Sequence, residues 1–416
     1  MTLNGKTLRW TDQSLGALLV LGGKIASIPE LLTRPRPVAD VRSIAVVRLW
    51  AVGEAVLTLP MVRELRRQHP HARIDAITTS RVSAVLRMSG LFDEVVDVGA
   101  PGGLLRALRG RCPSRHYDAV IDTEPFSNGS ALLSLLLSRR RLGFSLWPRG
   151  MLYTDTVRLD DTLHESHAFI DLAKPLLVST SKVPYPDKLI ELKVSSAARA
   201  RARSLLKGVG RPLLCVAPAV ADSAKSRMWP MSRMAKVVAW ARERGMGVVL
   251  VGGKGDAAVC ESVARMSGTS GKDQGATASS TRHERVLNLA GQLSLEELAA
   301  VCKECDLMLS NDTGPMHIAA AQGCKVVGLF GPNVPSRFAP LGKENVSVYR
   351  GGCCPYSPCI NVHRGSVPEC RFTGTDKEQQ CMKAITVPAV QDALRSALQD
   401  ALRQGKGKRT SGQPDS

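Results

Sequence analysis

The chain has 416 residues, 44% of them hydrophobic, which is enough for two domains with sizeable cores. Its net charge of +19, from 56 Lys+Arg against 37 Asp+Glu, favours an anionic partner: nucleic acid, an acidic membrane surface or a phosphorylated substrate. Because only 4% of the residues are aromatic and no nucleic-acid-binding motif is present, we expect no nucleic-acid partner.

The cysteine usage indicates a reducing compartment. The eleven cysteines are an odd number, and they are spread through predicted helices and strands as well as loops. Without a signal peptide, this pattern favours the cytosol over a disulfide framework. No apolar run reaches the ~18 residues of a membrane-spanning helix, so we predict none.

We predict an N-terminal extension, two domains and a C-terminal helix. The extension ends in a Pro-rich segment at 34–37, and its apolar stretch Leu15–Leu21 either packs on the first domain or lies on a membrane. Breaks at 183–186 and a basic helix at 199–207 mark the region between the domains. The predicted parts are 1–42 (extension), 43–205 (first domain), 206–384 (second domain, with a Cys-containing loop at 351–381), 385–403 (helix) and 404–416 (disordered tail).

The first domain reads as strands alternating with helices. Apolar runs at 44–49, 73–79, 94–98 and 117–122 predict strands, and the alternation predicts a parallel, doubly wound sheet. Pro60 suggests that the first helix begins near Thr58 or Leu59. Ligands of such sheets bind at the carboxyl ends of the strands, where we place Glu54, Asp122 and Glu124.

The second domain repeats this pattern, with predicted strands at 212–218 and 247–251, and the segments 287–290 and 293–298 lead into a predicted helix. A Gly/Ser/Thr-rich segment at 268–282 predicts a surface loop. The cluster Gly252-Gly253-Lys254-Gly255 lacks the last glycine of a dinucleotide fingerprint, so NAD is not expected.

The stretch from Asp306 to Pro332 predicts a strand, a tight turn, an Ala-rich helix and a second strand. The turn after the first strand leaves backbone N–H groups at a helix N-terminus, which is a site for an anion such as phosphate. Thr313 either caps this helix or contacts the phosphate, and His317 lies four residues later on the same face. In the alternative interpretation, Asp312 and Thr313 only cap a core helix and His317 is buried in the core.

Five cysteines cluster near the C-terminus: Cys353, Cys354, Cys359, Cys370 and Cys381. Their spacing lacks the paired C-x2-C of a zinc ribbon. We therefore expect a metal-free loop, with a zinc or iron–sulfur site as the less favoured alternative.

Taken in order, the chain resembles the lipopolysaccharide heptosyltransferase family (glycosyltransferase family 9) over residues 43 to 395. Five blocks carry the resemblance: Arg48-Leu49-x3-Gly53-Glu54-x5-Pro60, Lys225-x3-Trp229-Pro230, Val249-Leu250-x-Gly252-Gly253, Asn311-Asp312-Thr313-Gly314-Pro315-Met316-His317-x-Ala319-Ala320-Ala321, and Gly328-Leu329-Phe330-Gly331-Pro332-x2-Pro335.

The resemblance implies an α/β protein of GT-B architecture, with two Rossmann-like, doubly wound parallel-sheet domains facing a cleft. It implies an inverting transfer of heptose from ADP-heptose to an anionic glycolipid such as the lipopolysaccharide core, without a metal. It further implies a cytoplasmic protein, peripheral on the inner membrane.

The family pattern also implies site residues. The donor nucleotide and diphosphate would contact Lys225, Asp256, Leu293, Asp312, Thr313, Gly314, Pro315, Met316 and His317. The acceptor side would contain Gly53, Asp122 and Arg48, although Arg48 is equally well explained as a salt-bridge partner. The acidic residue after Gly53 would be the general base.

One departure leaves the activity open. The family usually has Asp after this glycine, whereas this chain has Glu54, which is longer by one methylene but chemically competent as a base. Two alternatives therefore remain: a related enzyme with a UDP- or GDP-sugar donor and another glycan acceptor, and a catalytically silent nucleotide-sugar-binding protein.

Overall fold

The structure is a computed structural model that describes residues 12, 16, 18–24, 37–103, 107, 117–178, 183–268, 286–360 and 369–409. Residues 269–282 of the predicted loop at 268–282 lie outside this part of the chain. The chain divides into two compact units, the first ending at Pro186 and the second beginning at Asp187.

This boundary precedes the predicted one at 205, because the basic helix belongs to the second unit. The helix spans Ser196–Leu206, and Arg201 and Arg203 form ion pairs with Glu297 and Glu304 at 2.7 and 3.0 Å. The breaks predicted at 183–186 therefore mark the boundary better than the helix that follows them.

The described residues of the first unit form a sheet of six parallel strands in the order β3-β2-β1-β4-β5-β6. The strands are β1 (Ser43–Arg48), β2 (Arg73–Thr78), β3 (Glu94–Asp97), β4 (Ala119–Asp122), β5 (Arg141–Phe144) and β6 (Asp155–Val157). The sequence does not predict β5 and β6, because they are short and have no apolar run.

Four helices of the described residues flank this sheet: α1 (Val52–Gln68), α2 (Ser80–Ser89), α3 (Asn128–Leu137) and α4 (Glu165–Ala173). Helix α1 begins earlier than predicted and contains Pro60, whose ring nitrogen has no hydrogen to donate to the carbonyl of Val56. Residues 54–62 of α1 are all buried, so tertiary packing outweighs the lost hydrogen bond.

The second unit has a sheet of the same kind, with the order β12-β11-β10-β7-β8-β9 and all pairs parallel. Its strands are β7 (Leu213–Ala217), β8 (Gly247–Leu250), β9 (Val286–Asn288), β10 (Leu307–Asn311), β11 (Lys325–Phe330) and β12 (Val346–Tyr349). The two parallel sheets confirm the predicted α/β class with two Rossmann-like domains.

The helices described in the second unit are α5 (Ser196–Leu206), α6 (Met231–Glu243), α7 (Ala257–Met266), α8 (Leu295–Glu304), α9 (Gly314–Ala321), α10 (Pro335–Phe338), α11 (Gln380–Lys383) and α12 (Val387–Arg409). Helix α12 extends as far as Arg409 and so overlaps the first residues of the tail that the sequence predicts from 404. Residues 410–416 lie outside the described part.

Both sheets have a topological switch point. In the first unit β1 pairs with β2 on one side and with β4 on the other, and in the second unit β7 pairs likewise with β8 and β10. The winding direction reverses at each such strand pair, and open α/β sheets bind ligands just beyond the carboxyl ends there. The carboxyl ends of β1 and β4, and of β7 and β10, are therefore where ligands are expected.

The N-terminal extension packs on the first unit through a helix that includes residues 18–24. Val20 is fully buried against Ala131, Leu152 and Tyr153, and the carboxylate of Asp12 accepts hydrogen bonds from the first backbone amides of α3. Within the described residues, no helix has the length and apolarity needed to cross a membrane.

Candidate active site

In the first unit, the candidate site lies at the turn from β1 to α1. Ala51 adopts a φ of +61°, which is rare for a residue with a side chain and costs about 1–3 kcal/mol. It is followed by Val52, the first residue of α1, so that Gly53 and Glu54 lie in the first helical turn. Such a strained turn at a strand end is typical of functional sites.

Arg48, the last residue of β1, is fully buried beneath this turn. Its guanidinium donates to a carboxylate oxygen of Glu54 and to the backbone carbonyls of Thr123, at 2.9 Å, and Trp50, at 3.0 Å. Burial opposes the charge, but the carboxylates of Glu124 and Glu54 outweigh it and raise the pKa of Arg48. Arg48 is therefore a fixed cation that orients Glu54, whose side chain is 11% exposed.

A second carboxylate, that of Glu124, faces Arg48 from the end of β4. Its Oε1 accepts hydrogen bonds from the amides of Leu49 and Trp50 at 2.7 and 2.9 Å and lies 3.5 Å from Nε of Arg48. Burial is the main cause that raises the pKa of Glu124, and Arg48 and the two amides only partly offset it.

Asp122 lies at the end of β4 within a buried polar network. One of its oxygens accepts from Ser130, Tyr153 and Arg149, each at 2.7 Å, and the other accepts from the amide of Glu124 at 3.0 Å. Asp122 is 0% exposed, so it anchors the segment that carries Glu124 rather than offering a free oxygen to a ligand. The predicted acceptor contact of Asp122 remains a prediction.

In the second unit, the predicted strand–turn–helix–strand is present, and Lys325–Phe330 has the predicted bounds. Thr313 is the N-cap residue of α9, but its side chain makes no capping hydrogen bond. Its hydroxyl instead lies 3.2 Å from the hydroxyl of Ser310 and 3.3 Å from the carbonyl of Asn311. The N-terminus of α9 therefore lacks a side-chain cap, as a site for an anion requires.

The other end of α9 also follows the prediction, since Gly323 has a φ of +76° just after the helix. Met316 and His317 are buried, at 0% and 4% exposure. Gly328 of the neighbouring strand is close to Met316, because a Cβ at Gly328 would lie 2.9 Å from its sulfur. Met316 therefore packs the helix against β11, and the predicted ligand contacts of Met316 and His317 remain untested.

The loop after β7 carries the predicted cation Lys225. The side chain of Lys225 is 71% exposed and its ammonium lies 3.5 Å from the carboxylate of Asp222, which is 99% exposed. Two residues later, Arg227 is only 17% exposed, and its guanidinium lies 3.5 Å from the carboxylate of Asp312. Asn333 donates to the same carboxylate at 2.6 Å, so Asp312 is held from two sides and holds Arg227 in turn.

The predicted nucleoside contacts lie after β8 and before α8. The carboxylate of Asp256 accepts the amide of Gly253 at 2.8 Å, and a Cβ at Gly252 would come within 2.7 Å of Asp256. Glycine at 252 is thus needed for this close turn, which explains Gly252 without a bound dinucleotide. Leu293 is half-buried next to Ser294, the N-cap of α8.

Four of the five C-terminal cysteines line one cavity together with Ser226 and Pro332: Cys354, Cys359, Cys370 and Cys381. The amide of Gln379 donates to the sulfur of Cys370 at 3.2 Å, and burial raises the pKa of Cys381 to about 12. Within the described residues, however, no three His, Cys, Asp or Glu side chains are arranged to hold a metal ion.

Sequence patterns alone do not identify Arg227 and Asn333 as part of the site. Arg227 lies between the motif residues Lys225 and Trp229, and this position inside the block is the sequence feature that could have indicated it. Asn333 follows the Gly331-Pro332 turn that closes β11, and only the tertiary contact with Asp312 reveals it.

The model of glycosyltransferase family 9 (heptosyltransferase) matches residues 104–359. Lipooligosaccharide heptosyltransferase 2 of Haemophilus ducreyi is 25% identical over 313 residues, which make up 71% of this chain and 85% of that protein.

Two solved structures share the fold. The structure of the ADP-heptose lipopolysaccharide heptosyltransferase II of E. coli has a TM-score of 0.65 and 21% identity, covering 86% of this chain and 99% of that one. The iron-containing heptosyltransferase TibC of enterotoxigenic E. coli H10407, solved with ADP-D-β-D-heptose, has a TM-score of 0.54 and 14% identity, covering 87% and 77%.

Proposed function

The family model matches more than half of this chain, which therefore belongs to glycosyltransferase family 9 and is a glycosyltransferase, and we propose that it moves a heptose from ADP-heptose to a lipopolysaccharide-core or related glycolipid. The relatives support the donor, because the E. coli enzyme is an ADP-heptose transferase and TibC was solved with ADP-D-β-D-heptose. The relative from Haemophilus ducreyi supports a lipooligosaccharide acceptor.

The observation that carries the proposal is the N-terminus of α9. It follows β10 at the switch point of the second sheet and has no side-chain cap, so the backbone dipoles favour an anion there. In our proposal the diphosphate of the donor binds at Thr313 and Gly314. The cations Lys225 and Arg227 approach it from the loop after β7 and stabilise the charge on the leaving ADP.

The transfer proceeds with inversion in a single displacement. The carboxylate of Glu54 takes the proton from an acceptor hydroxyl, and the resulting oxygen forms a bond to the anomeric carbon as the bond from that carbon to the diphosphate breaks. ADP leaves with the bonding electron pair. Arg48 holds Glu54 in position during this step.

The nucleoside of ADP lies near Asp256 and Leu293 in the same proposal. The reaction needs no metal, because Lys225, Arg227 and the helix N-terminus supply the positive charge that a divalent ion would otherwise provide. This expectation is tested by assaying transfer in the presence of a chelator.

We also propose that the chain acts as a peripheral protein on the cytoplasmic face of the inner membrane, where its acceptor is found. Leu18 and Leu19 of the N-terminal helix are 66% and 60% exposed, and Trp147 of the same unit is 79% exposed. These apolar side chains and the net charge of +19 suit an anionic bilayer. Cosedimentation with phosphatidylglycerol vesicles, compared between the wild type and a Leu18→Asp/Leu19→Asp variant, tests the contact.

Two alternatives are distinguished by nucleotide binding. Calorimetric titration of the purified protein with ADP, UDP and GDP at one salt concentration should show a clear preference for ADP. Preference for UDP or GDP would keep the reaction and change the donor. Binding of ADP without any transfer would favour the silent nucleotide-sugar-binding protein, which the substitution of Glu54 for the usual Asp makes reasonable.

A further inference from the structure

Glu124, a buried carboxylate outside the family motifs, lies next to Arg48, the residue that orients the proposed base. Glu124 follows the end of β4 by two residues and is 0% exposed. One of its oxygens, Oε2, is buried and has no hydrogen-bond partner among the residues that the structure describes. Burying an unsatisfied carboxylate oxygen is unfavourable for stability, so the residue calls for a functional explanation.

The other oxygen holds the turn that carries the base. Oε1 of Glu124 accepts from the amides of Leu49 and Trp50 at 2.7 and 2.9 Å, the two residues immediately before Ala51. Ala51 is the residue with a φ of +61°. Glu124 thus fixes the backbone at the point where it leaves the sheet and turns into α1, three residues before Glu54.

The same carboxylate also acts on Arg48. The guanidinium of Arg48 lies between Glu124, at 3.5 Å from its Oε1, and Glu54, to which it donates a hydrogen bond. The backbone and the cation that orient Glu54 are therefore both held by Glu124.

We propose that Glu124 is a positioning residue for sugar transfer, which holds the turn at Leu49 and Trp50 so that the carboxylate of Glu54 reaches the acceptor hydroxyl. This inference rests on the proposed function, in which Glu54 is the general base. Glu124 itself touches no substrate.

The chain contains a matched control at the other end of the same strand pair. Asp118, just before β4, accepts from the amides of Arg42 and Ser43 at 2.9 and 3.0 Å. Both carboxylates hold two consecutive amides of the β1 segment, but Asp118 does so at the end of the sheet remote from Glu54. Loss of either side chain removes the same kind of contact, and only one of them adjoins the base.

The experiment compares kcat for transfer from ADP-heptose to a heptose-deficient lipopolysaccharide acceptor, together with calorimetric affinity for ADP. We expect Glu124→Ala to lower kcat about 100-fold, the loss expected from a displacement of ~1 Å in the base. The affinity for ADP should stay within twofold, because the turn that binds it belongs to the other unit. Asp118→Ala should keep kcat within about threefold of the wild type, with both values corrected for the folded fraction.

Two conservative variants separate positioning from folding. Glu124→Gln keeps an oxygen at the two amides, whereas Glu124→Asp keeps the charge but withdraws it by one methylene. We expect the Gln variant to retain at least tenfold more kcat than the Asp variant, and this order holds even if Glu124→Ala fails to fold.

Equal kcat in Glu124→Ala and Asp118→Ala would overturn the inference, as would a Gln variant no more active than the Asp variant. Glu54→Ala in the same assay separates the role of Glu124 from the role of Glu54. Loss of transfer in Glu54→Ala with full transfer in Glu124→Ala overturns only the role of Glu124, whereas full transfer in Glu54→Ala overturns the assignment of the base.

Discussion

The backbone amide of Trp229 donates a hydrogen bond of 3.0 Å to the side-chain carbonyl of Asn311, 82 residues later in the chain. The amide group of Asn311 in turn donates to the carbonyl of Pro218 at 2.7 Å. Asn311 therefore joins the loop after β7, with its Lys225 and Trp229 motif, to the turn that begins α9. Two of the four motif blocks of the second unit thus meet through one fully buried side chain.

We predict that Asn311→Ala weakens ADP binding and destabilises the second unit. The substitution leaves a buried amide and a buried carbonyl without partners, which should lower the free energy of unfolding by roughly 2 kcal/mol or more. Urea denaturation and calorimetry measure the two effects.

Asn345→Ala is the matched control for this prediction. Asn345 also binds two backbone groups, the amide of Val326 at 3.0 Å and the carbonyl of Leu341 at 2.7 Å, but it lies outside the motif loops. Its loss should destabilise the unit to a similar extent and leave the affinity of the folded protein for ADP unchanged. Equal loss of ADP affinity in both variants would show that Asn311 has only a structural role.

Much of the fold follows from local patterns in the sequence. The strand, turn, helix and strand between Asp306 and Pro332 are contiguous, so their apolar runs, turn residues and Gly323 are enough to predict them. The strands β5 and β6 have no such run, and β12 is only four residues long. Pro60 misleads because burial of α1 on several sides outweighs a local preference.

The rest of the candidate site depends on contacts between distant residues. Glu124 reaches the amide of Leu49 across 75 positions, and Arg227 reaches Asp312 across 85. The left-handed conformation of Ala51 has no signal in the sequence, since alanine does not favour it. Motif resemblance predicts Lys225 and Glu54, and the strand pattern places Glu124 at the ligand-binding edge of the sheet. Only the tertiary structure adds Arg227 and Asn333, and only it shows that Glu124 holds the amides of Leu49 and Trp50.

We predict that both cations after β7 contribute to nucleotide binding. Lys225→Ala should weaken ADP binding about tenfold, the effect of losing one charge-assisted interaction of ~1.4 kcal/mol. Arg227→Ala should weaken it further, because the nearly buried carboxylate of Asp312 then loses its ion-pair partner. Lys236→Ala, on the exposed face of α6, is the control that removes a charge elsewhere. Unchanged affinity in Lys225→Ala would remove this residue from the donor site.

A pH dependence follows from the buried carboxylate of Glu124. Burial, supported by the charge of Glu54, raises the pKa of Glu124 in the folded state despite Arg48 and the two backbone amides. The folded protein thus binds this proton more tightly than the unfolded chain, whose Glu pKa is about 4.3. The contribution of Glu124 to stability is therefore highest below that value and falls as the pH rises towards the raised pKa.

Urea denaturation of the wild type and Glu124→Gln tests this prediction between about pH 4.5 and 8. The difference in the free energy of unfolding should shift in favour of Gln as the pH rises. A difference that is the same at every pH would contradict the raised pKa.

The cysteine cavity should be free of metal. Metal analysis of anaerobically purified protein should find less than stoichiometric zinc or iron, and a chelator should not lower transfer. Cys359→Ser, inside the cavity, and Cys353→Ser, exposed and outside its lining, should behave alike. One equivalent of metal that is lost in Cys359→Ser and kept in Cys353→Ser would instead establish a metal site.

The central claim is that this chain transfers heptose from ADP-heptose with Glu54 as the base. The most direct measurement incubates the wild type and Glu54→Ala with ADP-heptose and a heptose-deficient lipopolysaccharide acceptor, and follows ADP release and the mass of the acceptor. We predict that the wild type releases ADP and adds one heptose, while Glu54→Ala binds ADP normally and adds none. An acceptor that the wild type leaves unchanged, or one that both proteins modify at the same rate, would contradict the account.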